Sequence, residues 1–292
     1  MAQRTLGCRG AMKKVLFLAD FYDNQVNGGA ESNDAVLIQS LKENNIALDC
    51  APTQTITPDK IDKYDKIILS NFVFLGPDIK NHIAHSCKYI IYEHDHKYLI
   101  TRDPSMFVNF QAPESKIVNR ELYKNADKVV VLSEICKDIL EKTLKVDNVH
   151  SIGTSLWSQK KLNFIKDLRA TASKTKELAI LDSDNPTKGS HAAKQYCEEK
   201  GWPYDLISSV DQYEFLTILS EYKSLVFMPQ VLETFCRLVA EAKMLNCSVY
   251  TKRKMIGFMS EPFSRQSGFE LIETLEKKVA VALEYFQALI RE

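Results

Sequence analysis

The chain has 292 residues, of which 45% are hydrophobic and 26% are charged, so it can bury a large core and divide into two domains. Lys plus Arg and Asp plus Glu each number 38, so no overall basic field exists to attract nucleic acid or an anionic membrane surface. No apolar stretch is long enough to span a bilayer and no signal-peptide pattern is visible, so we expect a cytoplasmic protein.

Short apolar runs alternate with amphipathic helical stretches along the chain, after residues 1–11, which we interpret as an extension outside the fold. The first series begins with KKVLFLAD at 13–20 and ends with NVHSIG at 148–153. Alternation of strand and helix predicts a parallel sheet covered by helices. We therefore expect an N-terminal Rossmann-like domain over residues 12–155, on the side where an acceptor binds.

A polar stretch at 154–176, rich in Ser, Thr and Lys, precedes a second series of alternating runs over 177–252. This series predicts a second Rossmann-like domain over 156–265, which would bind a nucleotide, and the remaining 266–292 are predicted as a terminal helix. The predicted fold class is thus α/β, with two parallel sheets that face an interdomain cleft. Ligands of such sheets bind where strands lead into helices, so site residues should follow strands.

The first predicted strand is followed by NGGAE at 27–31. Gly28 and Gly29 permit backbone conformations closed to other residues, directly before a helix whose free N–H groups suit an anion. The segment is neither the dinucleotide fingerprint GxGxxG nor a P-loop, because no GK[ST] follows. It predicts either a phosphate-facing loop or an ordinary strand-to-helix turn.

The run YEHDH at 92–96 places four adjacent ionisable residues at the end of a predicted strand. His94 and His96 share a face of an extended chain, which would suit a metal ion, although one imidazole could instead bind a substrate hydroxyl. A solvated strand exit is the third interpretation. The seven cysteines lack CxxC pairs and are typical of reduced thiols rather than of disulfides or a zinc site.

Two further segments follow strands of the second series. Lys188 in NPTKG could offer its charge to a phosphate beside a helix N-terminus, and a lone surface lysine is the alternative. In ETFCRLVAE, a helix predicted from residue 233 would separate Glu233 and Glu241 by about 12 Å along its axis. That is too far to share a proton but suits gripping two hydroxyl-bearing parts of one long ligand, unless both carboxylates are simply solvated.

These three segments together resemble retaining glycosyltransferases of family 4, which have the GT-B architecture. Glu233 and Glu241 resemble the E-x7-E signature, NGGAE the N-terminal glycine loop, and NPTKG the donor-phosphate lysine segment. The resemblance covers most of residues 13–262 and is closest in style to compact enzymes of phages and bacterial surface-polysaccharide clusters. It implies transfer of a sugar, with retention, from a nucleoside-diphosphate sugar to a saccharide or lipid-linked acceptor, without a metal or other cofactor.

The resemblance also implies a role for each matching residue. Glu241 would bind the ribose hydroxyls, Glu233 hydroxyls of the transferred sugar, and Lys188 the diphosphate. His94 or Asp95 would face the reacting sugar and the acceptor. The implied catalytic residues are His94, Asp95, Lys188 and Glu233, and the implied donor-binding residues are Gly28, Gly29, Lys188, Thr234, Phe235, Cys236, Arg237 and Glu241.

Two departures from the family pattern keep alternatives open. Cys236 stands where the family has glycine, and the arginine that commonly precedes the Lys-Gly pair is missing from LDSDN at 181–185. A sugar-nucleotide-binding module that has lost catalysis is therefore one alternative. A phage enzyme that glycosylates a DNA base is another, because KRK at 252–254 could form a basic patch. The lysines that would join such a patch are Lys160, Lys161 and Lys166.

Overall fold

A computed structural model describes residues 13–26 and 28–292, so the predicted extension at 1–11 and Asn27 lie outside the described residues. The described chain folds into two parallel β-sheets, one of six strands and one of four, with helices packed against them. The alternation of strand and helix in the sequence predicts this α/β architecture.

The first sheet has the strand order β2-β1-β3-β4-β5-β6. The strands are Lys14–Ala19 (β1), Ala47–Pro52 (β2), Lys66–Leu69 (β3), Tyr89–Tyr92 (β4), Lys128–Val131 (β5) and Val149–Ser151 (β6). The helices are Gly29–Glu43 (α1), Pro58–Ile61 (α2), Pro77–Ser86 (α3), Arg120–Lys124 (α4) and Glu134–Leu144 (α5). Helices cover both faces, so the central strands are continuous apolar runs. We call this sheet and its helices the first lobe.

The second sheet has the strand order β10-β9-β7-β8 and, with its helices, forms the second lobe. The strands are Lys176–Leu181 (β7), Asp205–Ile207 (β8), Tyr222–Phe227 (β9) and Ser248–Thr251 (β10). The helices are Ser190–Lys200 (α7), Gln212–Ser220 (α8) and Arg237–Met244 (α9). Two more helices, Gln159–Thr171 (α6) and Gly268–Arg291 (α10), lie outside the strand-to-strand connections.

The strand orders determine where ligands can bind. Chain order reverses beside β1 in the first sheet, between β1 and β3, and beside β7 in the second sheet, between β7 and β9. Such switch points open a crevice at the carboxyl ends of the strands, because neighbouring connections leave in opposite directions. The glycine loop follows β1, Lys188 follows β7 and Glu233 follows β9, so the predicted site segments lie at these two points.

Helix α6 was missed by the sequence interpretation. The polar stretch at 154–176 was described only as preceding the second series of strands and helices, but residues Gln159–Thr171 are helical. Leu162 and Ile165 are buried in the main core, whereas most of the other side chains of this helix are polar. One buried stripe among many charged residues does not give a strong helical pattern, so the helix was missed.

Helix α10 returns from the second lobe to the first. The ring of Phe286 packs against that of Tyr92 at 4.9 Å between centroids, and Lys66 Nζ donates a buried hydrogen bond of 2.5 Å to the carbonyl of Leu289. The last helix thus covers β3 and β4 and joins the two lobes. No helix within residues 13–26 and 28–292 is both long and apolar enough to cross a membrane.

The turn after β7 depends on one glycine. Gly189 has φ +69°, and a β-carbon there would lie 1.7 Å from the carbonyl oxygen of Met228, which follows β9. Gln230 N also donates to Thr187 O at 2.8 Å. The backbone next to Lys188 is therefore pressed against the segment that leads to Glu233.

Replacing Gly189 with alanine tests this close approach, with Gly201→Ala as the matched control. Gly201 has φ +66° but open space around it, so in Gly201→Ala only the strain of a left-handed alanine should lower the unfolding free energy, by about 1–2 kcal/mol. Gly189→Ala should lower the unfolding free energy by a further ~1–3 kcal/mol, because the backbone at Met228 must also move to make room for the β-carbon. Urea denaturation measures both losses, and equal losses would contradict the close approach.

Candidate active site

A cavity of about 990 Å³ lies between the two lobes. It is lined from the first lobe by the glycine loop and the end of β4, and from the second lobe by the turns after β7 and β9 and the start of α9. The residues predicted from the sequence that line it are Gly28, Gly29, His94, Asp95, Lys188, Glu233, Thr234, Phe235, Cys236, Arg237 and Glu241. One cleft therefore collects them all, and their individual roles stay predictions.

Lys188 and Glu233 form an ion pair on the second-lobe side of this cavity, with 2.8 Å between Nζ and Oε1. Burial lowers the pKa of Lys188, but the negative charge of Glu233 and its hydrogen bond outweigh that effect and raise the pKa above its ordinary value. Lys188 is therefore a cation at neutral pH. The backbone of Glu233 is fixed as well, because its N–H donates to Met255 O and its carbonyl accepts from Gly257 N.

The helix predicted from residue 233 actually begins at Arg237. Cys236 has φ +73° and ψ +81°, a conformation that cannot continue an α-helix, and Glu233 lies in an isolated β-bridge with Ile256. The expected spacing of the two glutamates along one helix axis is therefore wrong. Their side chains still reach the same cavity, one from the turn after β9 and one from α9.

Glu241 is buried, with 6% of its surface exposed, and two cations and one neutral hydrogen-bond donor contact it. Its Oε1 accepts from Trp157 Nε1 at 2.8 Å and lies 3.3 Å from Lys161 Nζ and 3.5 Å from Arg237 Nη2. Burial by itself raises the pKa of the carboxyl, but the charges of Lys161 and Arg237 and these hydrogen bonds lower it below its ordinary value. Glu241 is therefore an anion inside the cleft.

Lys161 and Trp157 are site residues that the sequence interpretation missed. Lys161 was considered only as part of a basic surface patch, but its side chain is buried and its Nζ donates to Gln212 Oε1 at 2.6 Å. Burial lowers the pKa of this lysine, opposed by Glu241. The one feature of the sequence that could have pointed to these two residues is Trp157 itself, a large aromatic residue at the predicted domain boundary.

Arg237 contacts the segment that joins the lobes. Its Nη1 donates to Leu156 O at 2.5 Å, and its guanidinium lies 4.8 Å from the centre of the Trp157 ring. On the other side of that segment, Asn33 of α1 accepts from Leu156 N at 2.5 Å and from Ser155 Oγ at 2.8 Å. The crossing between lobes is thus hydrogen-bonded to a helix of each lobe, which sequence spacing gave no means of predicting.

Thr234 contacts the first lobe directly. Its hydroxyl donates to the carbonyl of His94 at 2.8 Å, and its own carbonyl accepts from Ser133 Oγ at 2.6 Å. Gly257 permits this approach, since a β-carbon there would lie 2.1 Å from the Thr234 carbonyl oxygen. Phe235 packs between Trp157 and Phe258, so its side chain belongs to the core. Only its backbone is available for the predicted phosphate contact.

The first-lobe side of the cleft carries a network of paired charges after β4, of which Glu93 and Lys97 are buried. Lys97 Nζ lies 2.8 Å from both Glu93 Oε1 and Asp95 Oδ1, and Asp95 also pairs with Arg102 at 2.9 Å. Burial would raise the pKa of Glu93, but Lys97 and a hydrogen bond from Tyr123 lower it to about 2. Asp95 is therefore held by two cations in the position where the sequence predicts a substrate-facing residue.

The two histidines of YEHDH do not come together. His94 Nε2 lies 3.0 Å from Asp34 Oδ1, whereas His96 adopts φ +59° and its Nδ1 lies 3.1 Å from the Tyr98 hydroxyl. The turn at His96 breaks the extended backbone that the metal interpretation required. Among the described residues, the one cluster of side chains that could hold a metal ion consists of Asp62, His82 and Cys87. It lies near the amino ends of β3 and β4, whereas the cavity lies at the carboxyl ends of the strands.

No protein-family model and no curated protein sequence matches the chain. Solved structures match it in fold. AviGT4, a glycosyltransferase involved in avilamycin A biosynthesis, matches at 14% identity and a TM-score of 0.53, over 95% of this chain and 97% of that one. An α-glucosyltransferase in complex with UDP and a 13-mer DNA containing an HMU base matches at 10% identity and a TM-score of 0.52, over 96% and 100%.

The Anabaena protein HepE in complex with UDP matches at 13% identity and a TM-score of 0.50, over 95% of this chain and 94% of that one. Together with the two parallel sheets, these likenesses show that the chain has the GT-B fold, and the predicted fold class is confirmed. At such low identities the likeness concerns the fold alone.

The conformation of Cys236 yields a test of the turn into α9. Glycine adopts φ +73° without strain, whereas alanine keeps a β-carbon there and costs about 1–2 kcal/mol. We expect Cys236→Gly to have a higher free energy of unfolding than Cys236→Ala by about 1 kcal/mol, measured by urea denaturation.

Cys197, buried within α7, provides the matched control for this test. In that ordinary helix interior alanine should be the more stable replacement by roughly 0.5–1 kcal/mol. The same preference for alanine at position 236 would contradict the left-handed turn.

Proposed function

We propose that the chain is a glycosyltransferase that transfers a sugar from a nucleoside-diphosphate sugar. The observation that carries the proposal is the ion pair of Lys188 and Glu233 at the switch points of a GT-B cleft, with the buried anion Glu241 beside it. A lysine flanked by two separated carboxylates complements a diphosphate with a hydroxyl-bearing group at each end. The complexes of structural neighbours with UDP support the same class of donor.

Lys188 is the proposed ligand of the diphosphate. In the free protein its charge is neutralised by Glu233, so donor binding would exchange partners: the phosphate takes the ammonium group and Glu233 turns to hydroxyls of the sugar. The first backbone N–H groups of α9, after Cys236, add partial positive charge on the same side. Charge that develops on the departing diphosphate is stabilised by groups already in place.

Glu241 is the proposed ligand of the ribose. Its carboxylate remains ionised because Lys161, Arg237 and Trp157 surround it, and an ionised carboxylate is the stronger acceptor for hydroxyl hydrogens. These three side chains contact Oε1. In this proposal Oε2 receives the ribose hydroxyls.

The resemblance to family 4 supplies the finer parts of the proposal. It supports transfer with retention of configuration to a saccharide or lipid-linked acceptor, and it supports a reaction without a metal ion, because lysine and helix N–H groups stand in for the cation. His94 and Asp95 lie on the first-lobe side of the cavity, where the acceptor would enter.

A melting-temperature screen against UDP, GDP, ADP and CDP tests the proposal first. A nucleotide that binds only the folded protein stabilises it by about 2.7 kcal/mol at a hundred times its Kd. We expect at least one of the four to raise Tm. A protein that melts at the same temperature with all four would contradict donor binding in the cleft.

Lys188→Met tests the role of the lysine, with Lys194→Met in α7 as the control. Lys188→Met should lower the rate of nucleoside diphosphate release from the matching sugar donor by about 10²–10³, with a smaller loss of donor affinity. Lys194 pairs with Asp182 away from the cavity lining, so its variant should behave as wild type. Wild-type turnover in Lys188→Met would contradict the assignment.

Measuring whether the wild-type protein itself turns over a sugar donor also distinguishes this proposal from the catalytically inactive module. That alternative rests on Cys236, whose side chain is buried where the family pattern has glycine, and on the missing arginine. Donor binding with no release of nucleoside diphosphate, with or without a saccharide acceptor, would favour the inactive module.

DNA is a second candidate acceptor, favoured by the fold match to an α-glucosyltransferase in complex with DNA and by the exposed basic residues at 252–254. The wider basic patch is not available, because Lys161 is buried against Glu241 and Lys166 Nζ pairs with Glu276 at 2.6 Å. We therefore expect no duplex binding in a gel-shift titration across 50–200 mM salt, the range in which phosphate contacts lose affinity. Salt-sensitive binding that Lys252→Gln/Arg253→Gln/Lys254→Gln removes would favour DNA.

A further inference from the structure

Three side chains that can ligate a metal ion meet on the first lobe, at the end of the sheet opposite the cavity. One ligand atom each from Asp62, His82 and Cys87 all lie within 4.8 Å of one another. Asp62 ends α2, which leads into β3, whereas His82 lies in α3 and Cys87 ends that helix, before β4. We call these three residues the Asp-His-Cys cluster.

The fold brings the two helix ends together. β3 and β4 are neighbouring parallel strands, paired from Ile67 and Tyr89 onward, so the helices that precede them end at the same side of the sheet. Ile61 of α2 and Ile83 of α3 are buried in one hydrophobic core. Packing therefore fixes both helix ends, and the cluster does not have to hold itself together.

The ligand types of the cluster select the ion. Thiolate, imidazole and carboxylate are the ligands that zinc uses in proteins, whereas magnesium and calcium prefer oxygen ligands alone. Bond lengths of about 2.0–2.3 Å place the ligands of a tetrahedral zinc ion roughly 3.3–3.8 Å apart. The three ligand atoms already lie within 4.8 Å of one another, so small side-chain rotations are sufficient to close the site.

The cluster is open to solvent on one side and packed on the other. The side chain of Asp62 is 55% exposed and that of His82 is 23% exposed, so an ion can enter from solvent. Cys87 is half-buried and packs against the hydrophobic core, which limits the movement of its side chain. A surface ion pair would account for Asp62 and His82, whose Oδ1 and Nε2 lie 2.7 Å apart, but not for the thiol beside them.

We propose that the Asp-His-Cys cluster binds one zinc ion, with water as the fourth ligand. The Cys87 thiol gives its proton to solvent as the bond from sulfur to zinc forms. The ion joins the C-terminal ends of α2 and α3 and so stabilises the first lobe. The four-residue strands β3 and β4, with about 3.3 Å per residue, separate it from the cavity. The zinc is therefore structural, and the inference does not depend on the proposed function.

Isothermal titration of the metal-free protein with zinc chloride is the first test. We expect the wild type to bind one equivalent, and Cys87→Ala and His82→Gln each to weaken that binding by at least about a hundredfold. Losing even a residue that only orients a metal ligand costs about 10–100-fold. The matched controls are Cys50→Ala, an exposed thiol on β2, and His85→Gln, an exposed imidazole of α3, which should both bind as wild type. Equal affinities of Cys87→Ala and Cys50→Ala would overturn the proposal.

Cobalt(II) identifies the ligands in the wild-type protein itself, so the test does not depend on how well a variant folds. A cobalt ion in this site should give a charge-transfer band from thiolate sulfur and the visible bands of a four-coordinate ion, and zinc should displace it. The sulfur band should disappear in Cys87→Ala and persist in Cys50→Ala. Bound cobalt without the sulfur band, or a band that is lost in Cys50→Ala instead, would overturn the proposal.

Thermal stability and turnover distinguish a structural ion from a catalytic one. Zinc should raise the Tm of the wild type and of His85→Gln but not that of His82→Gln, because the ion binds the folded lobe. Removal of zinc with a chelator should leave turnover of the sugar donor unchanged. An unchanged Tm of the wild type, or turnover that the chelator abolishes and zinc restores, would overturn the structural role. If no sugar donor is turned over at all, the proposed function fails, whereas zinc binding and Tm still decide the metal site.

Discussion

A carboxylate taken out of water must be paired with cations or hydrogen-bond donors, and Glu241 shows what that requirement does to this fold. Its partners come from three places: Lys161 from α6, Arg237 from its own helix, and Trp157 from the segment that crosses between the lobes. Arg237 in turn hydrogen-bonds to the crossing segment at Leu156. Neutralising one buried charge therefore holds α6, α9 and the crossing together beside the cleft.

The same requirement recurs on the opposite side of the cavity. Glu93 is fully buried and is neutralised by Lys97, while Asp34 is held by Ser70 and His94. Glu93 follows β4, and Asp34, on α1, contacts Ser70 after β3 and His94 after β4, so both charges lie near the carboxyl ends of these strands. Each lobe thus presents anchored charges to one space. Such preorganised groups do not have to reorient when charge moves during a reaction, which is the condition for electrostatic catalysis.

Local patterns in the sequence were sufficient for the architecture. Continuous apolar runs separated by helical stretches predict parallel strands covered on both faces, and the segments after β1, β7 and β9 were recognisable by their glycines, Lys188 and Glu233. The carboxyl ends of parallel strands all lie on the same side of a sheet, so these segments could be placed in one cleft from the sequence alone.

The remaining features depend on contacts between residues far apart in the chain. Lys161 belongs to a polar helix and becomes a site residue only because α6 packs beside α9. Asp34 and His94 are 60 positions apart, and no spacing rule connects them. The helix predicted from residue 233 begins only after Cys236, because the backbone of that residue is left-handed, which a cysteine in the sequence does not indicate. Long-range packing, rather than local propensity, determined each of these features.

The central claim is that Glu241 is the anion that grips the nucleoside end of the donor. Isothermal titration with the nucleoside diphosphate that binds most tightly, on the wild type and on Glu241→Gln, tests it most directly. Loss of hydrogen bonds to a charged acceptor should weaken binding by ~1.5–3 kcal/mol, which is roughly ten- to hundredfold in Kd. Unchanged affinity in a Glu241→Gln protein that is still folded would contradict the account.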